Sequence, residues 1–125
     1  MPSKVLICDN EEVLRALVRA ALDGSAYEIV EARDGDESVE LACRLEPDLI
    51  VLDMMMPGRN GVQVLEELRR EPGLRETPVV MLTARAQAAD RQAASRAGTD
   101  YFLAKPFSPR ELASVVEDLL NGSRD

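Results

Sequence analysis

Short apolar runs alternate with amphipathic segments five times along this chain of 125 residues. The most apolar run is Leu49-Ile50-Val51-Leu52, which has the length and composition of a strand buried on both faces. Strands of this kind that alternate with helices form a parallel sheet covered by helices on both sides. Because crossovers between parallel strands are right-handed, few topologies remain. The sequence therefore predicts an α/β fold built on a doubly wound, five-stranded parallel sheet.

Apolar spacing and helix-boundary residues locate the individual elements. Gly24 is the predicted C-cap of the first helix, and Ser108, Pro109 and Glu111 form the predicted start of the last, with Glu111 closing a capping box. The second strand is more polar than the others, so we expect it at a sheet edge. The predicted strands lie at about residues 4–8, 27–32, 48–52, 78–82 and 101–104. The predicted helices lie at about residues 11–22, 36–46, 62–71, 84–97 and 109–121, and residues 122–125 are expected to fray.

Length and charge restrict the class of protein. The chain has the length of one domain, residues 1–125 with an ordered core at about 4–121, and no linker divides it. A net charge of -8 argues against general nucleic-acid binding, which needs a basic surface. No run approaches the ~18 consecutive apolar residues of a membrane span, and the N-terminus lacks a signal-peptide pattern. We therefore expect a cytoplasmic protein that makes no membrane contact.

Cysteine and histidine usage narrows the chemistry. Cys8 and Cys43 both lie inside apolar patterns and far apart in sequence, which favours two buried free thiols over a disulfide or a metal site. The chain contains no histidine. This excludes histidine-based acid–base catalysis, histidine metal ligation and a phosphohistidine in this chain. A phosphoryl group carried here would therefore sit on a carboxylate or a hydroxyl.

Polar residues follow three of the predicted strands at the point where each strand ends. Asp9-Asn10-Glu11-Glu12 follows the first strand, Asp53 ends the third, and Lys105-Pro106 follows the fifth. Open α/β sheets bind ligands at the carboxyl ends of their strands, so these residues indicate one site. Each of them alone more often has a structural role, as a turn or helix-capping carboxylate or a solvated cation. Their joint placement at one sheet edge is what favours a functional role.

The same residues carry a resemblance to a known family. Asp9, Asp53 within Leu-Asp-Met-Met-Met-Pro-Gly, Thr83-Ala84 and Lys105-Pro106-Phe107 are similar, in order and spacing, to the motifs of response-regulator receiver domains. The resemblance covers nearly the whole chain. It implies a flavodoxin-like fold with strand order 2-1-3-4-5. It also implies a phospho-acceptor in two-component signalling, with a sensor histidine kinase or histidine phosphotransfer protein as donor and an output domain or protein as target.

The resemblance assigns a role to each site residue. Asp53 would be the nucleophile, taking a phosphoryl group in a reaction that the chain catalyses on itself rather than on an external substrate. Thr83 would offer its hydroxyl to the phosphoryl group, and Lys105, before a cis proline bond, would place its ammonium there. Phe102 would follow Thr83 as the switch aromatic. The predicted ligands of Mg²⁺ are Asp9, Asn10, Asp53 and the backbone carbonyl of Met55.

One departure from the family pattern concerns the metal. The family normally has two acidic residues after the first strand, whereas this chain has Asp9-Asn10. An amide oxygen ligates Mg²⁺ without contributing charge, so we expect Asn10 to lower metal affinity. Asn10 also keeps open the alternative of a degenerate receiver, which binds a partner without phosphorylation. A flavin- or nucleotide-binding protein or an aspartyl-phosphate hydrolase is disfavoured, because the chain lacks a Gly-rich phosphate loop and its nucleophile lies on the third strand.

The fourth predicted helix is unusual in composition. From Ala84 to Ala97 it has no apolar side chain larger than alanine, so it buries little apolar area and is weakly anchored. It also carries Arg85, Arg91 and Arg96 on an otherwise acidic chain. We expect helix four, strand five and helix five to form the output surface. Helix five lacks the arginines of receivers that dimerise through this face, so a partner protein and a homodimer are both open.

Overall fold

The structure is a computed structural model that describes residues 2–23, 27–84 and 88–121. Within these residues five strands and five α-helices alternate along the chain. The strands are β1 (Ser3–Cys8), β2 (Tyr27–Ala32), β3 (Leu49–Asp53), β4 (Val79–Ala84) and β5 (Tyr101–Lys105). The helices are α1 (Glu12–Ala21), α2 (Gly35–Leu45), α3 (Gly61–Arg70), α4 (Ala88–Ala97) and α5 (Pro109–Leu120), with a 3-10 turn at Pro72–Leu74.

The strands form one parallel sheet in the order β2-β1-β3-β4-β5. This confirms the predicted order and the edge position of the more polar second strand. The chain winds outward from β1 to one edge and then from β3 to the other, which is the doubly wound, flavodoxin-like arrangement. Its switch point lies between β1 and β3, where such folds bind their ligands.

Alternating side chains of the strands fill two separate cores. Along β3, Ile50 and Leu52 join one cluster, while Leu49 and Val51 join the other. The first cluster packs the sheet against α2, α3 and α4, and the second packs it against α1 and α5. Of α4, the side chain of Ala94 is buried in the first cluster. Ala97 packs against the same cluster. Alanine side chains bury little apolar area, and the weak anchoring of the fourth helix stays a prediction.

Side-chain hydrogen bonds cap the N-termini of α2, α3 and α5. Ser108 Oγ accepts the Glu111 backbone N–H, which confirms Ser108 as the N-cap of α5. The hydrogen bonds of the described residues do not include one from the Ser108 N–H to the Glu111 side chain, so the capping box predicted here is not formed. A complete capping box occurs at the start of α3, between Asn60 and Gln63, where the sequence pattern did not predict one. The predicted C-cap at Gly24 and the predicted fraying at residues 122–125 lie outside the described residues.

The cysteine prediction holds for only one of the two thiols. Cys8 is fully buried at the end of β1, and burial raises its pKa to about 12. Cys43, on α2, is exposed, so the prediction that it is buried was wrong. Both cysteines are free thiols. In the part of the chain that the structure describes, no helix is both long and apolar enough to cross a membrane.

Candidate active site at the carboxyl edge of the sheet

The register of the strands brings the predicted site residues to one edge of the sheet. Asp53 pairs with Leu82 of β4, and the next residue of β4, Thr83, pairs with Ala104 of β5. Lys105 follows Ala104, and Asp9 follows the last residue of β1. Four strand ends therefore contribute one side chain each. Asp53 is the last residue of β3 and Thr83 is the next to last of β4, so neither lies in a turn.

Asp53 and Lys105 form the closest charged pair of this edge. Asp53 is 2% exposed, and its Oδ1 lies 3.0 Å from Lys105 Nζ. The same oxygen accepts the backbone N–H of Met55 at 3.2 Å. The Lys105–Pro106 peptide bond is cis, as expected. The Lys105 ammonium can therefore offset the negative charge of a second anion that approaches the Asp53 carboxylate.

Asp9 is fully buried beside this pair, and its two carboxylate oxygens have different surroundings. Oδ1 accepts the backbone N–H of Glu11 at 2.8 Å. Oδ2 accepts no hydrogen bond, and Lys105 Nζ lies 3.7 Å away from it. Burial raises the pKa of Asp9 to about 6; the charge of Asp53 adds to this rise, whereas the Glu11 N–H and Lys105 oppose it. A buried carboxylate oxygen without a donor indicates a place for a cation.

The donor set at this edge fits a hard cation such as Mg²⁺. The predicted ligands offer two carboxylates, an amide and a backbone carbonyl, all of them oxygen donors. Asn10 and Met55 are both exposed, so water has access to the same place. No three His, Cys, Asp or Glu side chains cluster within metal-binding distance in the described residues. Water would therefore complete the coordination, as is common for Mg²⁺.

Arg15 is a buried residue of this region that the sequence analysis did not single out. Its Nη1 donates to the backbone oxygen of Asp9 at 2.8 Å, and its Nε donates to Glu31 Oε1 at 2.9 Å. Glu31 also pairs with Arg19, at 2.7 Å. The available signal was its position, because Arg15 lies three residues before the buried Val18 on the inward face of α1. An arginine on such a face needs buried partners.

Thr83 and Phe102 occupy the part of β4 and β5 that faces α4. Thr83 is buried, and its hydroxyl donates to the backbone oxygen of Ala84 at 3.0 Å. Phe102 is half-buried, and the guanidinium carbon of Arg91 lies 4.9 Å from the centre of its ring. This distance is within the range of a cation–π contact between α4 and β5. Arg85, which the sequence places on the fourth predicted helix with Arg91 and Arg96, lies outside the described residues.

The loop after β3 returns closely to the end of that strand. A Cβ atom at Gly61 would lie 2.6 Å from the backbone oxygen of Asp53, so only glycine fits at this position. Arg59 ties the loop to α2 and α3 through Asp36 at 3.1 Å and Glu67 at 2.7 Å. These contacts hold the segment that carries Met55 and its carbonyl group.

Comparison with known proteins finds similarity to transcriptional regulatory proteins. The chain is 42% identical over 118 residues to the transcriptional regulatory protein ResD of Bacillus subtilis, covering 94% of this chain and 48% of that protein. It is 38% identical over 120 residues to the phosphate regulon transcriptional regulatory protein PhoB of Escherichia coli, covering 96% and 52%. The chain thus spans about half the length of these curated relatives.

Solved structures of receiver domains superpose closely on this fold. The chemotaxis response regulator CheY4 of Vibrio cholerae has a TM-score of 0.89 at 28% identity, over 95% of this chain and 99% of that one. The receiver domain of the sensor histidine kinase PA1611 of Pseudomonas aeruginosa, solved with a magnesium ion coordinated in its active site cleft, also has a TM-score of 0.89 at 28% identity, over 98% and 100%. The family model of the response regulator receiver domain matches residues 5–117. The chain therefore belongs to the response regulator receiver domain family of two-component systems.

Proposed function

We propose that residues 1–125 act as a single phospho-accepting receiver unit in which Asp53 takes the phosphoryl group. The observation that carries this proposal is the buried carboxylate of Asp53 with Lys105 Nζ 3.0 Å from its Oδ1. Asp9 and Thr83 lie at the same sheet edge. The residues expected from the family are therefore present, except that Asn10 replaces the second acidic residue. A receiver that only binds partners has no need of this set, and the degenerate alternative is therefore not favoured.

The proposed reaction transfers a phosphoryl group from a nitrogen or oxygen atom of the donor to a carboxylate oxygen of Asp53. A carboxylate oxygen of Asp53 attacks phosphorus, and the bond from phosphorus to the donor breaks with its electron pair leaving on the donor. Bound Mg²⁺ would neutralise charge on the transferring group, held by Asp9, Asn10, Asp53 and the Met55 carbonyl. Lys105 supplies a second positive charge beside Asp53. The Thr83 hydroxyl, after turning from the Ala84 oxygen, would donate to a phosphoryl oxygen.

The donor partner, a histidine kinase or histidine phosphotransfer protein, would approach this edge of the sheet. Val13, in the first turn of α1, is 83% exposed, and Met55 in the loop after β3 is 58% exposed. Both follow the carboxyl ends of neighbouring strands, and Leu17 continues the apolar surface one turn along α1. Exposed apolar side chains at the rim of a reactive site suit a protein donor better than a small one. We place the donor's contact surface here.

The test of the proposed function is phosphorylation by a small donor. Incubation of the chain with acetyl phosphate and Mg²⁺ is expected to add the mass of one phosphoryl group, and omission of Mg²⁺ is expected to prevent it. Intact-mass spectrometry in acid-quenched samples gives the result directly. An unchanged mass at saturating Mg²⁺ would favour the degenerate receiver, and turnover of the donor without a phosphorylated intermediate would favour a hydrolase.

Asn10→Asp is expected to tighten Mg²⁺ binding and to lower the stability of the metal-free protein. The added carboxylate would strengthen the attraction for the cation and would repel Asp9 and Asp53 when no metal is present. Metal titration and thermal melts of the two forms, each with and without Mg²⁺, measure both effects. Gln63→Glu, a matched amide-to-acid change on the exposed start of α3, controls for net charge. Equal Mg²⁺ affinity of Asn10→Asp and the original chain would remove Asn10 from the ligand set.

The proposed output surface comprises α4, β5 and α5. Phosphorylation at Asp53 would draw the Thr83 hydroxyl toward the site, and Phe102 would repack beneath α4, breaking its contact with Arg91. A groove of about 560 Å³ runs beside α5 on this face. Its lining includes Tyr101, Glu111, Val115 and Leu119. A downstream output domain, a separate protein or a second copy of the chain would bind here.

Beryllofluoride, a mimic of the phosphoryl group, is expected to change hydrogen exchange in β4, α4 and β5 more than in α2. The physical reason is that α4 buries little apolar area, so a small change beneath it shifts its stability measurably. Mass-resolved exchange of peptides from residues 83–102, compared with peptides from α2, measures the effect. Changes confined to the loop after Asp53 would contradict the proposed switch. Light scattering at several concentrations separates a homodimer from a partner-binding monomer.

A further inference from the structure

We propose that Arg15 is a positioning residue for the metal ligand Asp9, acting by fixing the peptide group that follows this carboxylate. The inference rests on the proposed Mg²⁺ site and concerns a residue outside the ligand set. Arg15 is 8% exposed and lies on α1, six residues beyond Asp9. It touches neither Asp53 nor Lys105 in any hydrogen bond or ion pair of the described residues.

Asp9 makes three hydrogen bonds, through its backbone N–H, its backbone oxygen and its Oδ1. Its backbone N–H donates to Ala32 at the end of β2, at 3.1 Å. Its backbone oxygen accepts Arg15 Nη1 at 2.8 Å, and its Oδ1 accepts the Glu11 N–H at 2.8 Å. With these three bonds in place, Oδ2 alone remains without a hydrogen bond. The direction of that oxygen, which is the one open to a cation, therefore depends on these three hydrogen bonds. Arg15 donates one of them from a side chain, whereas Lys105 lies 3.7 Å from Oδ2 as an ion pair.

Arg15 is itself held in place from the edge strand. Glu31 on β2 accepts Arg15 Nε at 2.9 Å on one oxygen and pairs with Arg19 at 2.7 Å on the other. The planar guanidinium bonds to Glu31 and to the Asp9 backbone at once, which the single ammonium of a lysine does not reproduce. Outer partners of this kind orient metal ligands, and their loss typically lowers metal affinity on the order of 10- to 100-fold.

The sign of the effect separates positioning from simple electrostatics. Arg15 carries a positive charge close to a proposed cation site, so its repulsion alone disfavours Mg²⁺. Neutralising it would then tighten Mg²⁺ binding. If Arg15 positions Asp9, the same substitution weakens Mg²⁺ binding, because the Asp9 peptide group and carboxylate are no longer held. The two mechanisms thus predict opposite changes.

The experiment compares Arg15→Gln with Arg19→Gln in the full chain. Arg19 pairs with the same Glu31, is half-exposed and makes no hydrogen bond to Asp9, so it controls for the ion pair and for net charge. Arg15→Gln is expected to weaken Mg²⁺ binding on the order of tenfold, and Arg19→Gln to leave it within about twofold, because Arg19 makes only a partly exposed ion pair and no contact with Asp9. Titration with MgCl₂, followed by NMR amide shifts, gives both dissociation constants.

A second readout is independent of metal. The Glu11 amide, which donates to Asp9 Oδ1, is expected to exchange faster in metal-free Arg15→Gln and at an unchanged rate in Arg19→Gln. Equal or tighter Mg²⁺ binding by Arg15→Gln, or an equal loss in both variants, would overturn the positioning role. If Arg15→Gln does not fold, Arg15→Lys is measured instead, and wild-type values for both readouts would overturn it. Absence of Mg²⁺ binding by the wild type would instead refute the proposed metal site, and with it this inference.

Discussion

Asp53→Asn is expected to abolish phosphorylation by acetyl phosphate and Mg²⁺. The amide that replaces the carboxylate is a poor nucleophile and brings no negative charge to the metal or to Lys105. Asp9, the other described carboxylate paired with Lys105, lies farther from Lys105 Nζ, at 3.7 Å, and lacks the Met55 amide contact of Asp53. Intact mass after a fixed incubation measures the phosphorylated fraction.

The matched control for this experiment is Asp23→Asn, since Asp23 is an exposed residue just beyond α1. It should be phosphorylated to the same extent as the original chain. A thermal melt of Asp53→Asn checks that the sheet still forms. A full mass gain in Asp53→Asn would reject Asp53 as the acceptor and would turn attention to a hydroxyl or to another carboxylate.

Asp9→Asn is expected to stabilise the metal-free protein at neutral pH. The pKa of Asp9 rises in the folded state from 3.8 to about 6, chiefly through burial, so its ionised form is disfavoured on folding. The free energy of unfolding of the original chain is therefore unaffected by Asp9 below about pH 4. It falls as the pH rises through about 6, because folding then requires a buried ionised carboxylate. An asparagine keeps the neutral form at every pH. We expect a gain on the order of 1–3 kcal/mol in the free energy of unfolding at pH 7.

Urea unfolding in EDTA at pH 4, 5, 6, 7 and 8 tests this dependence. The two proteins should have similar stability near pH 4, and Asp9→Asn should become more stable as the pH rises. Addition of Mg²⁺ at pH 7 should narrow the difference by binding preferentially to the original chain. Asp34→Asn, which retains the oxygen that caps α2, provides a control at a less buried carboxylate. A pH-independent difference between the two chains would contradict a titrating Asp9.

Most of the fold follows from local patterns along the chain. The run Leu49-Ile50-Val51-Leu52 is buried on both faces of the sheet, as its short length, β-branched residues and following turn residues predict. Ser108 caps the start of α5 by a hydrogen bond to a residue three positions away. Such signals depend on neighbours in sequence. The order of the strands was obtained from the resemblance carried by Asp9, Asp53, Thr83 and Lys105.

Features that depend on contacts between distant parts of the chain could not be predicted from the sequence. Cys43 lies in an apolar pattern, yet the helix α2 turns it toward solvent, because a doublet of apolar residues does not specify which member faces the sheet. Gly61 fits the pattern of an ordinary helix start, and only the return of the loop onto the Asp53 backbone requires its missing side chain. Arg15 needed the position of β2 before its partner Glu31 was apparent.

The assembly of the proposed site from four strands has a consequence for folding. Asp9 and Lys105 are separated by most of the chain, and they come within 3.7 Å only after β4 and β5 have joined the sheet beside β3. A nascent or partly unfolded chain lacks the ammonium beside Asp53, whatever local structure it retains. Signalling competence would therefore appear only with the complete sheet.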